Sequence, residues 1–111
     1  MEDEIKKRLF DILTCLSSID VHLQGKRDYK LYISNITMRR AVERELKIIG
    51  EAMSRVLNQK PDIEISYARI IVDLRNKVIH AYDAVNNDSI WKIIVKDLPV
   101  LKIEVEALLK K

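Results

Sequence analysis

Cysteine occurs once in this chain, at Cys15, and histidine, glycine and proline twice each. A lone cysteine cannot close an internal disulfide, and one cysteine with two histidines cannot supply a four-ligand zinc cluster. No apolar run approaches the ~18 residues that a membrane span needs, so no membrane role is expected. The opening MEDEIKKRLF is too densely charged for a secretory leader, which makes the cytoplasm the expected location. A dominant charge is lacking too. Twenty basic against seventeen acidic residues leave +3, a surplus that permits nucleic-acid contact without implying it.

What is present points to helices. With so few breakers in 111 residues, most of the chain must lie in long regular elements, and the Leu, Ile, Glu, Lys and Arg content favours α-helix. One domain, 1–111, is expected, large enough to bury roughly two thirds of its unfolded surface. No metal and no cofactor are expected. Between about Glu2 and Leu23, the residues Ile5, Leu9, Ile12, Leu13, Leu16, Ile19 and Leu23 draw one apolar stripe. Gly25-Lys26-Arg27-Asp28 then reads as a solvated turn, and His22 before it as a solvated or capping residue. A second helix starts between Asp28 and Asn35 and runs through Met38, Val42, Leu46, Ile49, Met53 and Val56 until Lys60-Pro61 ends it. Gly50 sits inside it at a cost of about 1 kcal/mol relative to alanine, which a close helix crossing or a local bend would explain.

The spacing predicts a third helix over 64–82, with Tyr67, Ile71, Leu74, Val78, Ala81 and Val85 as its core seam. Asn86-Asn87-Asp88-Ser89 offers N-caps for a last helix, which Pro99 should kink or split. The expected architecture is all-α, an up-down bundle of four or five helices with its two long central ones antiparallel.

The third helix has a second side that packing does not require. With Val78 at the centre of the core stripe, Asn76 lies at about 160° and His80 at about 200°, bordered by Val72 and Ile79. Arg75 and Tyr82 share a shoulder of the stripe. Five positions, about 140° and 7.5 Å of rise, separate Arg75 from His80. One regular helix does not aim both at one point. They would converge if the helix loosens near His80, or if a two-fold dimer sets one helix against its copy.

The stretch Arg75-Asn76-Lys77-Val78-Ile79-His80-Ala81-Tyr82 resembles the RNxxxHxY signature of HEPN-fold proteins, in particular the HepT toxin branch. Ile48-Ile49-Gly50-Glu51-Ala52 is similar to that family's IIGEA segment, and Ile90-Trp91 with Asp97-Leu98-Pro99 to its closing Trp and DLP elements. Together these cover about Met38 to Leu109. At Tyr67 the chain departs from the tryptophan that relatives often carry. The resemblance implies a HEPN-like fold and a homodimeric, metal-independent ribonuclease. It also implies a toxin-antitoxin pair, the partner being a minimal nucleotidyltransferase antitoxin of the MntA type. It makes Arg75 and His80 the catalytic pair, Asn76 the polar neighbour, and Tyr82 the tyrosine that the antitoxin modifies with AMP.

The residue types suit that chemistry. Histidine can move the proton of a 2′-OH near neutral pH, and the arginine fork can hold the phosphate. DNA, without a 2′-OH, would be spared, and tRNA is one candidate among RNAs. Lys77, Arg69, Arg39 and Arg40 would track the RNA backbone. Glu51 is either an exposed ion-pair residue or an orienting contact for Arg75 or Tyr82. Read alone, His80 is a helix-end residue bonded to Asn76 or Asp83, Arg75 a surface ion-pair residue, and Tyr82 a packed ring with its hydroxyl at the surface. A catalytically inactive module that binds a nucleotide or a partner is the alternative.

Overall fold

The computed structural model describes residues 2–80 and 84–111, the side chains of 84 and 85 excepted. Tyr82 and Asp83, and the seam positions Ala81 and Val85, therefore lie outside what is described. The first helix, α1 (Asp3–His22), buries the expected stripe of Ile5, Leu9, Ile12, Leu16 and Ile19, with Asp3 and Glu4 in its first turn, where acids favour the positive end of the peptide dipoles. Gln24 and Gly25 then take positive φ, 58° and 70°, and the Gly25 N–H closes back on the Asp20 carbonyl at 2.9 Å. Arg27 pairs with the Asp20 carboxylate, which ties the basic turn back to α1.

The two limits set for the second helix are both caps. Asp28 accepts from the Leu31 N–H and starts the short α2 (Tyr29–Ser34), and Asn35 accepts from the Met38 N–H and starts α3 (Ile36–Gln59). α3 is about 36 Å long. It packs along α1 and carries the centre of the core through Val42, Leu46, Ile49, Met53 and Val56.

The third helix is shorter than the spacing predicts, and it is broken. Residues 60–67 are not helical: Ile63 and Ile65 alternate into the core, and the Ser66 N–H and hydroxyl both donate to the Glu104 carboxylate, at 3.1 and 2.6 Å. Tyr67 is the non-helical cap residue of α4 (Ala68–Val72) and is 39% exposed, so it does not belong to the core seam. Asp73 interrupts the helix, α5 (Leu74–Ile79) resumes it, and Ile71, Leu74 and Val78 remain buried as the seam requires.

The Asn-rich stretch expected as a loop lies inside α6 (Ala84–Lys92). Tertiary partners outweigh its weak helix propensity. Asn87 is 5% exposed, the Asn86 amide donates to the His80 carbonyl at 2.9 Å, and the Tyr29 hydroxyl donates to Asp88. Trp91 stacks obliquely on Tyr29 and on the buried Tyr32, with centroids at 5.6 and 5.0 Å. Pro99 divides the closing helical run as expected: a π-helical turn, Ile93–Asp97, precedes α7 (Leu98–Leu109), and Pro99 falls in the first turn of α7, where a missing N–H is tolerated. The described elements make an all-α bundle with one contiguous core. Among the described residues, no helix is long and apolar enough to cross a membrane.

Candidate functional site

The site is built on the crossing of α3 with the α4–α5 corner. A Cβ at Gly50 would stand 3.1 Å from the Ile71 carbonyl oxygen, 3.2 Å from the Arg75 nitrogen and 3.4 Å from the Val72 carbonyl oxygen. Even a methyl group would press on these backbone atoms more tightly than most Cβ contacts do, so Gly50 marks a close crossing rather than a bend. The crossing brings the first turn of α5 against the middle of α3.

Beside that contact runs a groove of about 580 Å³, lined on one wall by Gly50, Glu51, Ser54, Arg55 and Asn58 and on the other by Val72, Arg75, Asn76 and Ile79. Its size falls in the range of about 300–1,000 Å³ usual for small-molecule sites. Arg75, Asn76 and Glu51, singled out on two separate helices, thus meet in one place. The Arg75 side chain has no hydrogen bond or ion pair with a described residue, which leaves the five N–H donors of its guanidinium for a ligand. Glu51 pairs with Arg55 one turn on, at 3.4 Å, and not with Arg75; Tyr82, the other partner expected for it, lies outside the described residues. Two arginines against one carboxylate leave the groove positive.

His80 does not line this groove. It follows the end of α5 with φ −102° and ψ 22°, outside helical geometry, and its N–H reaches the Asn76 and Lys77 carbonyls at 3.4 and 3.2 Å. Helical geometry thus ends at His80, and the groove holds Arg75 without it. The Asn86 amide on the His80 carbonyl fixes that turn from α6.

The basic residues divide. Arg69 and Lys77 line a neighbouring depression with Ile70 and Asp73 that shares Val72 with the groove. Arg39 donates to the Ile33 carbonyl at 3.4 Å and pairs with Glu43 at 3.9 Å, which ties α2 to α3. Arg39 and the exposed Arg40 lie about 16–18 Å from Glu51 along α3, so the structure does not bring them to the groove. Burial raises the pKa of Glu43, with Arg39, Arg40 and Lys47 working against the shift.

Sequence reasoning missed Ser54, Arg55 and Asn58. Their signal was legible: with Glu51 they recur at intervals of three, four and seven, while Ala52, Met53, Val56 and Leu57 fill the core. Ile79 is 56% exposed at the groove, and Ile70, 40% exposed, lies with Arg69 in the neighbouring depression. Among the described residues, no group of three or more His, Cys, Asp or Glu side chains could hold a metal ion.

Comparison with known proteins agrees with the signature. The family model described as ribonuclease HepT-like matches residues 12–108. A Methanocaldococcus jannaschii protein named as a candidate RNase is 36% identical over 107 residues, 93% of this chain and 94% of its own. A second candidate RNase of that organism is 32% identical over 111 residues, 96% of this chain and 92% of its own. A candidate ribonuclease HepT of Thermococcus cleftensis is 40% identical over 72 residues, 63% of this chain and 64% of its own. No solved structure matches the chain. With the family model covering nearly the whole bundle and whole-length relatives above 30% identity, this chain belongs to the HepT-like ribonuclease family.

Proposed function

We propose that the chain is an endoribonuclease toxin that cleaves RNA at a cleft formed by two copies of itself, with Arg75 and His80 as the catalytic pair. The observation that carries this reading is the groove in which Arg75 and Asn76 face Glu51, fringed by the partly buried Val72 and the exposed Ile79, in a chain of a ribonuclease family. A two-fold axis through the α4–α5 face would cover Ile79 and Ile70 and bring the two copies of His80 toward one cleft. There the neutral imidazole of one His80 takes the 2′-OH proton, and the 2′-oxygen attacks the adjacent phosphorus. The imidazolium of the other gives its proton to the departing 5′-oxygen. The products are a 2′,3′-cyclic phosphate and a 5′-hydroxyl end. Arg75 holds the phosphoryl oxygens through its paired N–H donors, and Asn76 supports it. The single domain 1–111 suffices for each half of the cleft, and no metal takes part in these steps.

Neutralisation falls to a cognate nucleotidyltransferase antitoxin of the MntA type, which transfers AMP from ATP to the Tyr82 hydroxyl with loss of pyrophosphate. Two residues beyond His80, the added phosphate and nucleoside would block the cleft by bulk and charge. Lys77 and Arg69 track the RNA backbone from the adjoining depression.

The test is cleavage of total RNA and of defined tRNA in EDTA by unmodified wild type, His80→Ala and Arg75→Ala, each checked for dimer formation by sedimentation. Wild type cleaves, and each variant loses about 100-fold or more. Ile79→Asp yields a folded monomer without activity. Intact RNA after incubation with dimeric, unmodified wild type refutes the catalytic reading and leaves a nucleotide- or partner-binding module.

A further inference from the structure

The groove is longer than cleavage of one phosphate needs. Glu51 and Asn58, seven residues apart on α3, are separated by about 10 Å along the helix axis. Arg75 and Asn76 oppose this wall, and Ser54, Arg55 and Asn58 continue it. None of these three is required by the core. Arg55 has about half its side chain in solvent, Asn58 is exposed, and the buried positions of this stretch are the apolar ones beside them. The ion pair of Arg55 with Glu51 is a single contact at 3.4 Å between exposed groups, which leaves most of its N–H donors unused.

We infer that Ser54, Arg55 and Asn58 form a subsite for the nucleotide adjoining the scissile phosphate of single-stranded RNA. The inference rests on the ribonuclease reading of Arg75. The chemistry of the wall matches one unpaired nucleotide. The Arg55 guanidinium holds the next phosphate bidentately or stacks its plane on the base. The Asn58 amide offers a donor and an acceptor to a base edge, and the half-buried Ser54 hydroxyl faces the sugar between them. A double helix would keep its base edges paired, so this wall selects unpaired segments. Arg55 and Asn58 are then determinants of where the chain cuts, and take no part in the bond-breaking step.

Binding and cleavage are measured separately. A fluorescent hexaribonucleotide with 2′-O-methyl at every ribose cannot be cleaved by this chemistry and reports affinity by anisotropy. The unmodified hexamer and a dinucleotide report kcat and KM. Arg55→Ala raises Kd and KM for the hexamers about five- to tenfold, a lost charge-assisted contact at a solvated site. It leaves kcat within about twofold and dinucleotide cleavage unaltered. Asn58→Ala shifts the preference among hexamers of different sequence, and Arg55→Lys recovers part of the affinity. Arg44→Ala, on the same helix but outside the groove, behaves as wild type.

If Arg55→Ala and Asn58→Ala bind and cleave as wild type while Arg75→Ala does not, the subsite is refuted and the ribonuclease reading stands. A loss in Arg55→Ala matched by Arg44→Ala is a general charge effect and refutes it as well. Arg55-dependent binding of the methylated hexamer by a wild type that cleaves nothing keeps Arg55 as an RNA contact but overturns the ribonuclease reading and, with it, a subsite beside a scissile phosphate.

Discussion

Gly50→Ala separates two opposite expectations. In an ordinary exposed helix interior, the substitution gains about 1 kcal/mol of helix propensity. Here the added methyl meets three backbone atoms, the Ile71 and Val72 carbonyl oxygens and the Arg75 nitrogen, at 3.1, 3.4 and 3.2 Å. Ordinary contact begins near 3.4 Å. No side-chain rotation relieves a clash with backbone, so α3 and the α4–α5 corner must separate by a few tenths of an ångström. Overpacking of this kind costs about 1–3 kcal/mol. Set against the propensity gain, the net loss is about 0–2 kcal/mol, or up to about 10 °C in Tm for a chain of this size. Urea unfolding followed by circular dichroism measures it, with an unchanged m-value as the check that only the native state has been altered. Because the Arg75 nitrogen is one of the contacts, RNA affinity should fall by more than the stability change alone implies. A variant stabilised by the full 1 kcal/mol of propensity would refute the close crossing and with it the account of how the groove is held open.

The remaining expectations concern stability and reactivity. Burial, with help from Glu45 and Asp11, pushes the Cys15 thiol up to about 11, so it should resist a disulfide reagent at pH 8 until the chain unfolds; rapid labelling of the native protein would contradict its placement. The raised pKa of Glu43 means that the folded state holds its proton more tightly than the unfolded chain does. Stability from this group is therefore present at low pH and lost as pH rises through the window between the unfolded and folded values. Glu43→Gln should flatten that decline in urea midpoints measured between pH 4 and 8. Glu104→Ala removes the acceptor of the Ser66 N–H and hydroxyl and should cost about 1 kcal/mol, read as a lowered urea midpoint. Asn35→Ala removes the cap of α3 and should cost about 1 kcal/mol, whereas Asn35→Asp should be nearly neutral by the same measurement.

The parts of the fold legible in sequence are those where one helix face decides the outcome. The apolar stripe of α1 and that of α3 are long enough for periodicity to dominate, and Asp28, Asn35, Pro61 and Pro99 act through local backbone chemistry that needs no partner. The errors fall where a distant residue overrides the local pattern. Helical spacing ran through 64–67, but Glu104, 38 positions away, takes the Ser66 N–H. Residues 86–89 read as N-caps of the last helix, yet Asn87 is buried and Asn86 and Asp88 are engaged by His80 and Tyr29. No wheel drawn on one segment contains such contacts. At the site, Arg75, Asn76 and Glu51 stand out through the resemblance to the RNxxxHxY and IIGEA motifs, whereas Ser54, Arg55 and Asn58 belong to no such motif and show only on a wheel of the outer face of α3.

The geometry of the motif is set mostly from outside it. α5 has six residues, too few to be a stable helix on its own, so its direction cannot come from the Arg75–His80 stretch. Gly50 determines how near its first turn lies to α3, and Asn86 holds the carbonyl of the residue that ends it. Between these two anchors, Leu74 and Val78 hold the helix on the core, and Arg75, Asn76 and Ile79 are left facing the groove. A helix continuous through His80 would turn its ring about 140° from the Arg75 side. α5 ends at His80, and the amide that holds the His80 carbonyl comes from α6. A short motif on a twice-interrupted helix thus depends on a glycine 25 positions before Arg75 and an asparagine six positions after His80. Substitution at either anchor disturbs the site while leaving every residue of the motif in place.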